Sequence, residues 1–509
     1  MDLEQKIAFM EQALSSLQVE YAKAQSSDNE QSKRQIQYNT QFFDKYAEEY
    51  IDFTYKNPTI YHVVDTVSSE LSAAGFKYVS ERDSWEDLTP GKYYTKRNGS
   101  ALIAFVVGKD WTPEKGVGII GAHIDALTVV LKPNSSKATV EGYELLGVAA
   151  YSGALTDLWW DRDLGIGGRL LVKDSKTSKI EQKLVDSTPH PIAHIPTLAP
   201  HFGAPAKGPF NPETQAVPVI GFSGEDDEEE APATDAEKAS PLYGKHSLKL
   251  LRYIAKLAKV NVEDILQWDL QLYDIQKGTR GGLKKEFIFA PRIDDRICSF
   301  AAYKSLIEAD ANSLLPSDGF SIVGLFDNEE IGSATRQGIK GQLIESVIGR
   351  VISSKSFNGK ADSQEQIRLT YGNTIILSAD VNHLYNPNFD SVYLEHFKPV
   401  PNKGLSIALD PNGHMATDSI GLSLVEQLAK KNGDKVQYFH IRNDSRSGGT
   451  IGPSISLQTG ARTIDLGIPQ LSMHSIRATA GAKDVGNGVK FFTGFFSNWR
   501  ETYDNFDDL

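Results

Sequence analysis

The stretch Phe326-Asp327-Asn328-Glu329-Glu330-Ile331-Gly332 sets two glutamates side by side at the end of an apolar run, 320–325, that reads as a strand. Neighbours on an extended strand point to opposite faces. Both glutamates can therefore serve one site only if the chain turns there, and Asn328 and Gly332 are residues that tolerate a turn. One carboxylate is then a candidate general base and the other a candidate metal ligand. An alternative has Asp327 or Asn328 capping a following helix, with the glutamates favouring the positive end of its dipole. Four further stretches each place a histidine or an aspartate at an apolar run's end: Gly121-Ala122-His123-Ile124-Asp125, Pro291-Arg292-Ile293-Asp294-Asp295-Arg296, Ser378-Ala379-Asp380 and Gln470-Leu471-Ser472-Met473-His474. On a strand His123 and Asp125 share a face, so Asp125 can accept a hydrogen bond from one ring nitrogen while the other nitrogen binds a metal. Taken alone, the same pair also reads as a histidine merely satisfied by a nearby aspartate.

Together these stretches offer His123, Asp294, Glu330, Asp380 and His474, with Glu329 left over. One zinc would not use all five. Two metals about 3.5–4 Å apart would, if Asp294 bridges them. Imidazole and carboxylate without thiolate suit zinc, with manganese or cobalt as the other candidates. Glu329 would take a proton from the attacking water, whose pKa a metal lowers to about 7. The reaction class is metal-assisted hydrolysis.

The elements that must position these groups alternate helix and strand, as in an α/β sheet, whose ligands gather at the carboxyl ends of strands. Two helices at 42–56 and 59–74 precede strands at 92–97, 101–107 and 116–125. Later strands are expected at 287–290, 320–325, 374–380, 404–409, 436–442 and 463–468, with helices at 298–309 and 419–431. Between the first and second groups the texture changes to short β-rich, Gly- and Pro-punctuated pieces, an inserted domain. It contains His201, an acidic run at 225–230 that reads as a solvated loop, and two helical stretches at 246–258 and 262–267. The domain expectation is an arm and linker at 1–40, a first catalytic part at 41–127, the insert at 128–283 and a second catalytic part at 284–509. In the arm, Leu3, Ile7, Met10, Leu14, Leu17 and Tyr21 follow coiled-coil spacing, although a packed amphipathic helix would give a similar pattern.

The chain has 509 residues, enough for more than one core, and a formal charge of −13, which argues against nucleic-acid binding. No apolar run has the length of a membrane span. The single cysteine, Cys298, excludes an intrachain disulfide. The opening residues lack the basic region and apolar core of a secretory signal, so synthesis in the cytosol is expected.

The five motifs, in this order, resemble those of the dinuclear-zinc aspartyl and vacuolar aminopeptidases, and the resemblance runs from about Gln41 to the C-terminus. It implies a mixed-sheet catalytic domain with an inserted dimerisation domain. It also implies one zinc on His123 and Asp380, a second on Glu330 and His474, and Asp294 bridging by way of a cis bond to Asp295. Glu329 would be the base and Asp125 the residue that orients the imidazole. His201 would reach a neighbouring subunit's site, and His383 would contact substrate. The family assembles as a dodecamer built from dimers. Its fungal vacuolar members, which the chain resembles most, carry an N-terminal propeptide matching the Leu3–Tyr21 arm in kind. By that likeness the arm would self-associate and present the enzyme to a selective-autophagy receptor for delivery to the vacuole. Members that prefer N-terminal Asp or Glu carry a lysine where this chain has Ala408, and a tyrosine where it has Met415. An unpaired substrate carboxylate buried there would cost a few kcal/mol. A neutral first residue such as leucine is the expectation, with an acid-preferring aspartyl aminopeptidase as the alternative.

Overall fold

A computed structural model describes residues 36–224, 230–357 and 363–507. The expected coiled-coil seam at 3–21 lies outside them, as do residues 225–229 of the acidic run. The described chain opens with helices α1 (Thr40–Lys56) and α2 (Ile60–Ala73). The Asn39 side chain accepts the Phe42 N–H and starts α1. Asn57-Pro58 ends it, because the residue before a proline is pushed out of the helical region.

Strands β1 (Lys77–Tyr78), β2 (Gly91–Arg97), β3 (Ala101–Val107) and β4 (Gly118–His123) follow, and the chain then leaves for the insert. It returns through β12 (Phe287–Ala290), α4 (Ile293–Ala311) and β13 (Phe320–Phe326). Next come α5 (Leu343–Ile352), α6 (Ser363–Gly372), β14 (Ile375–Ala379), β15 (Asn382–His383), β16 (Ser406–Leu409) and α7 (Ser419–Asn432). The chain closes with β17 (Gln437–His440), α8 (Ile451–Thr459), β18 (Arg462–Gly467), β19 (Pro469–Leu471), β20 (Ala478–Gly481) and α9 (Asp484–Tyr503).

The main sheet runs β1-β2-β3-β13-β4-β14-β18-β16-β17. Its four central strands, β13, β4, β14 and β18, are parallel neighbours, so their carboxyl ends share one edge and Phe326 stands opposite His123. Parallel strands are covered on both faces and read as unbroken apolar runs, and the alternation along β4 shows both layers. Ile120 and Ala122 join Tyr50 of α1, Phe300 of α4 and Phe492 of α9 in one core. Ile119 joins Ile344 and Ile348 of α5 and Ile455 of α8 in the other. A smaller sheet, β11-β12-β20-β19-β15, with β11 at Thr279–Gly281, carries the chain into α4 and out of β18.

The insert is a six-stranded sheet ordered β8-β7-β10-β5-β6-β9. Its strands are β5 (Thr128–Ser136), β6 (Tyr143–Tyr151), β7 (Leu164–Lys173), β8 (Ile180–Asp186), β9 (Val219–Phe222) and β10 (Ile265–Asp274). Helix α3 (Leu248–Ala258) lays Leu250, Leu251 and Ile254 over it, against Trp159 and Leu170. The helix expected at 262–267 is corrected: after one short turn at Val262–Asp264 the chain enters β10. That strand is paired on both sides, with β7 and with β5, and ladder bonds along nine positions of β7 outweigh a short helical pattern. The hairpin β5–β6 sets Thr128 opposite Tyr151. The insert thus departs five residues after His123 and folds its first hairpin back to the same place.

A candidate two-metal centre

Each strand end delivers its group as the chain leaves the sheet. Strand β13 ends at Phe326, and Asn328 (φ 62°) and Gly332 (φ 93°) take left-handed conformations around a tight turn at Glu329–Ile331. Asparagine and glycine are the residues that adopt this backbone readily. The turn sends both glutamates to one side, as the adjacent pair requires. Strand β4 stops at His123, so Asp125 lies beyond the strand rather than on it. It reaches the histidine all the same, with Oδ1 3.2 Å from His123 Nδ1. Strand β14 stops one residue before Asp380, and β19 leads to His474 at φ 65°. Non-helical dihedrals at Asp294 and Asp295 break the first turn of α4, and the bond between them is cis.

These groups converge. His123 Nε2 lies 3.2 Å from Asp294 Oδ1, 3.4 Å from Asp380 Oδ1 and 3.9 Å from Glu329 Oε2. On the other side His474 Nε2 lies 3.5 Å from Asp294 Oδ2 and 3.8 Å from Glu330 Oε2. Two triads of ligand atoms result, each within 4.8 Å: His123, Asp295 and Asp380, and Asp294, Glu330 and His474. Asp294 presents one oxygen to each histidine. Asp295, which the sequence placed only as a neighbour of Asp294, is a member of the first triad.

The charge of the cluster asks for cations. The only ion-pair partners of Asp294, Glu329, Glu330 and Asp380 among the described residues are His123 and His474. Among the described residues, Glu330 Oε1 and both oxygens of Asp295 are buried without a hydrogen-bond partner. Burial, followed by the charges of neighbouring carboxylates, pushes Asp295, Glu329 and Glu330 above the usual range. Burial opposes a charge on His123 too, but Asp380, Asp125 and Asp294 outweigh it and raise the imidazole. Orphaned buried oxygens beside two imidazoles, with no thiolate, fit two zinc ions, and divalent metal would remove the electrostatic penalty that each carboxylate carries.

The supporting contacts are specific. The Asp125 carboxylate accepts the Glu329 N–H on Oδ1 and the Glu330 N–H on Oδ2, both at 3.1 Å, and so fixes the glutamate turn as well as the imidazole. Thr450, capping α8, donates its hydroxyl to Asp380 Oδ2 at 2.8 Å, and Val381 N–H donates to Oδ1 at 2.7 Å. Arg296, fully buried, donates to the carbonyls of Ile124, Asn57 and Pro58, tying the α1–α2 turn to the residue between His123 and Asp125. No local pattern signals Thr450, because its role depends on α8 packing beside β14.

The remaining expected site residues divide. His383 is mostly buried, its imidazole lowered by burial despite the nearby Asp294, and its ring lies 4.9 Å from that of Phe439. Phe439 on β17 pairs with Ala408 on β16, so buried Ala408 faces the same side as the ring that meets His383. Phe439 itself was not singled out from the sequence. Met415 is half-buried in the loop after β16. His201 is exposed on the short turn Pro200–Phe202 of the insert and is not one of the residues that meet at the cluster.

A family model described as aminopeptidase I zinc metalloprotease (M18) matches residues 53–496. Vacuolar aminopeptidase 1 of Saccharomyces cerevisiae is 58% identical over 497 residues, covering 97% of this chain and 95% of its own. Aspartyl aminopeptidase of Aspergillus oryzae is 39% identical over 482 residues, covering 90% and 96%. The solved mApe1 dodecamer of S. cerevisiae superposes with a TM-score of 0.82 at 55% identity, covering 92% of this chain and all of that one.

Proposed function

The chain belongs to the aminopeptidase I family of zinc metalloproteases, and from that premise we propose that it removes neutral, apolar N-terminal residues such as leucine from peptides at the cluster just described. The observation that carries the assignment of residues is Asp294, whose two oxygens face His123 and His474 at 3.2 and 3.5 Å. His123 and Asp380 would hold one zinc, Glu330 and His474 the other, with Asp294 shared. When bound, the metals supply positive charge that polarises the scissile carbonyl and acidifies water. Glu329, which this scheme leaves off the metals, removes the proton of the attacking water and returns it to the leaving amine nitrogen. Asp125 keeps the His123 ring in one orientation and the Glu329–Glu330 backbone in place. Arg296 holds the strand end beneath them.

The substrate preference rests on Ala408, which puts a methyl group rather than a cation at the position paired with Phe439. That position favours the apolar reading over the aspartyl one. We further propose that His383 contacts substrate, that residues 128–283 act as the dimerisation unit, and that His201 enters a neighbouring subunit's site. Similarity to the mApe1 dodecamer supports assembly of twelve copies. Similarity to vacuolar aminopeptidase 1 supports a vacuolar location, and we propose that it is reached by way of a self-associating arm and a selective-autophagy receptor. No helix among the described residues is long and apolar enough to cross a membrane.

Hydrolysis of leucyl and aspartyl chromogenic amides by the purified protein, with and without a chelator, tests the reading. The expected result is chelator-sensitive activity at least about tenfold greater on the leucyl amide, corresponding to the 1.4 kcal/mol or more that an unpaired carboxylate loses. Faster aspartyl turnover would overturn the preference, and chelator-resistant activity would overturn the metal assignment.

A further inference from the structure

Tyr151 lies in the insert at the last position of β6, yet its phenol is part of the catalytic turn. Its hydroxyl donates to Asp125 Oδ2 at 2.7 Å and accepts from Asn328 Nδ2 at 2.8 Å. Asn328 is the left-handed residue that begins the glutamate turn, and its Oδ1 is taken by Thr335 Oγ1 at 2.8 Å and Gln337 Nε2 at 2.9 Å. Asp125 is equally committed. Oδ1 serves His123 Nδ1 and the Glu329 N–H, while Oδ2 serves Tyr151 and the Glu330 N–H. A carboxylate with four donors on two oxygens keeps one rotamer, and removing its shortest bond frees the side chain to turn.

We propose that Tyr151 is a positioning residue through which the inserted domain sets the geometry of its own subunit's active site. It acts through Asp125, on the His123 imidazole and on the backbone of Glu329 and Glu330, and through Asn328, on the turn itself. The anchor is carried by the hairpin β5–β6, which pairs Tyr151 with Thr128 only three residues beyond Asp125. The insert therefore serves the site it interrupts, whatever else it does in assembly. This inference rests on the reading of His123 as a metal ligand.

The test is Tyr151→Phe in the full chain, which keeps the ring and removes only the hydroxyl. Partners that orient a ligating histidine change metal affinity or activity by about 10–100-fold when lost. Three readouts follow. In metal-free protein, amide hydrogen exchange at Glu329 and Glu330 should speed up by about tenfold or more, as bonds to an unanchored acceptor open more often. In zinc-loaded protein, zinc should pass to a chelator about 10–100-fold faster than from the wild type. On the leucyl amide kcat should fall while KM stays within about twofold, the signature of lost transition-state geometry rather than lost binding. A merely structural tyrosine would lower the urea midpoint and leave all three unchanged, and that result overturns the proposal. If wild type holds two zinc ions and the variant matches it in exchange and release, the inference fails and the metal reading stands. If wild type holds fewer than two, the metal reading fails, and the exchange measurement on metal-free protein still decides whether Tyr151 fixes the turn.

Discussion

Replacing Glu329 and Glu330 in turn by glutamine separates the base from the ligand, since the two are adjacent, buried and alike in chemistry. Glu329 is 16% exposed and Glu330 is 5%. Each backbone N–H is held by Asp125, and glutamine preserves both bonds as well as side-chain shape. Among the described residues the ion-pair partner of Glu329 is His123, with Nε2 at 3.9 Å, and Glu329 would sit off both metals. Glu329→Gln should therefore keep two zinc ions and lose proton transfer, which is worth 10²–10⁴ in rate, or about 3–5 kcal/mol of barrier. Glu330 differs, because its Oε1 is buried with no donor and its Oε2 faces His474 at 3.8 Å. An amide there removes the charge that a second zinc needs, so Glu330→Gln should lose one equivalent of metal at micromolar free zinc. Metal content by atomic emission after dialysis, beside kcat on the leucyl amide, reads both effects. Equal loss of zinc in the two variants would refute the division of roles, and so would a Glu329→Gln enzyme with more than about a tenth of wild-type kcat.

Three further outcomes are expected. His246, in the insert, has Nδ1 2.8 Å from Ser135 Oγ beside the Trp268 ring, and burial lowers its pKa to about 4. A lowered folded pKa means that the neutral form's stability is present above the unfolded value of 6.5 and is lost as pH falls toward 4, by about 2–3 kcal/mol; urea midpoints between pH 7.5 and 4.5 should decline less steeply in His246→Gln, and parallel declines would refute this. Ala408→Lys adds a cation on the face shared with Phe439, and should raise the aspartyl-to-leucyl ratio of kcat/KM by about tenfold or more; an unchanged ratio would remove position 408 from the pocket. Leu14→Ser with Leu17→Ser should disperse higher-order particles in light scattering while peptidase activity stays at the wild-type level, because avidity in an oligomer amplifies a weak arm contact, and particles of undiminished size would contradict the coiled-coil spacing.

The parallel core was legible because its strands are covered on both faces and so read as apolar runs that stop abruptly at a polar group, as at His123, at Asp327 after Phe326 and at Asp380 after Ala379. The same punctuation exposed the candidate ligands, since an α/β sheet gathers its chemistry at those stops. What was not legible depends on closure over long separations. Thr450 meets Asp380 across 70 positions and Tyr151 meets Asn328 across 177. Neither residue type has a local pattern that announces such a partner. Strand β10 was misread at its start because Val262, Ile265 and Asp264 fit a helical window, while the hydrogen bonds that decide the matter come from β5 and β7.

The place of the insert in the chain follows from the same geometry. Ligands collect at the carboxyl ends of β4, β13 and β14, and the chain between β4 and α4 can grow there without cutting through the sheet. Both ends of the insert are consequently tied to the centre: it begins after Asp125, which holds His123 and the glutamate turn, and ends before Asp294, which faces both histidines. A domain grafted at such a point could twist the site with every motion. The hairpin β5–β6 answers that hazard, because its register brings Tyr151 back onto Asp125 and adds a tether at the site itself to the one that Arg169 of β7 makes with the Asn98 carbonyl. Attachments on several sides of one carboxylate–imidazole cluster fix orientation where the two chain crossings alone would act as a hinge.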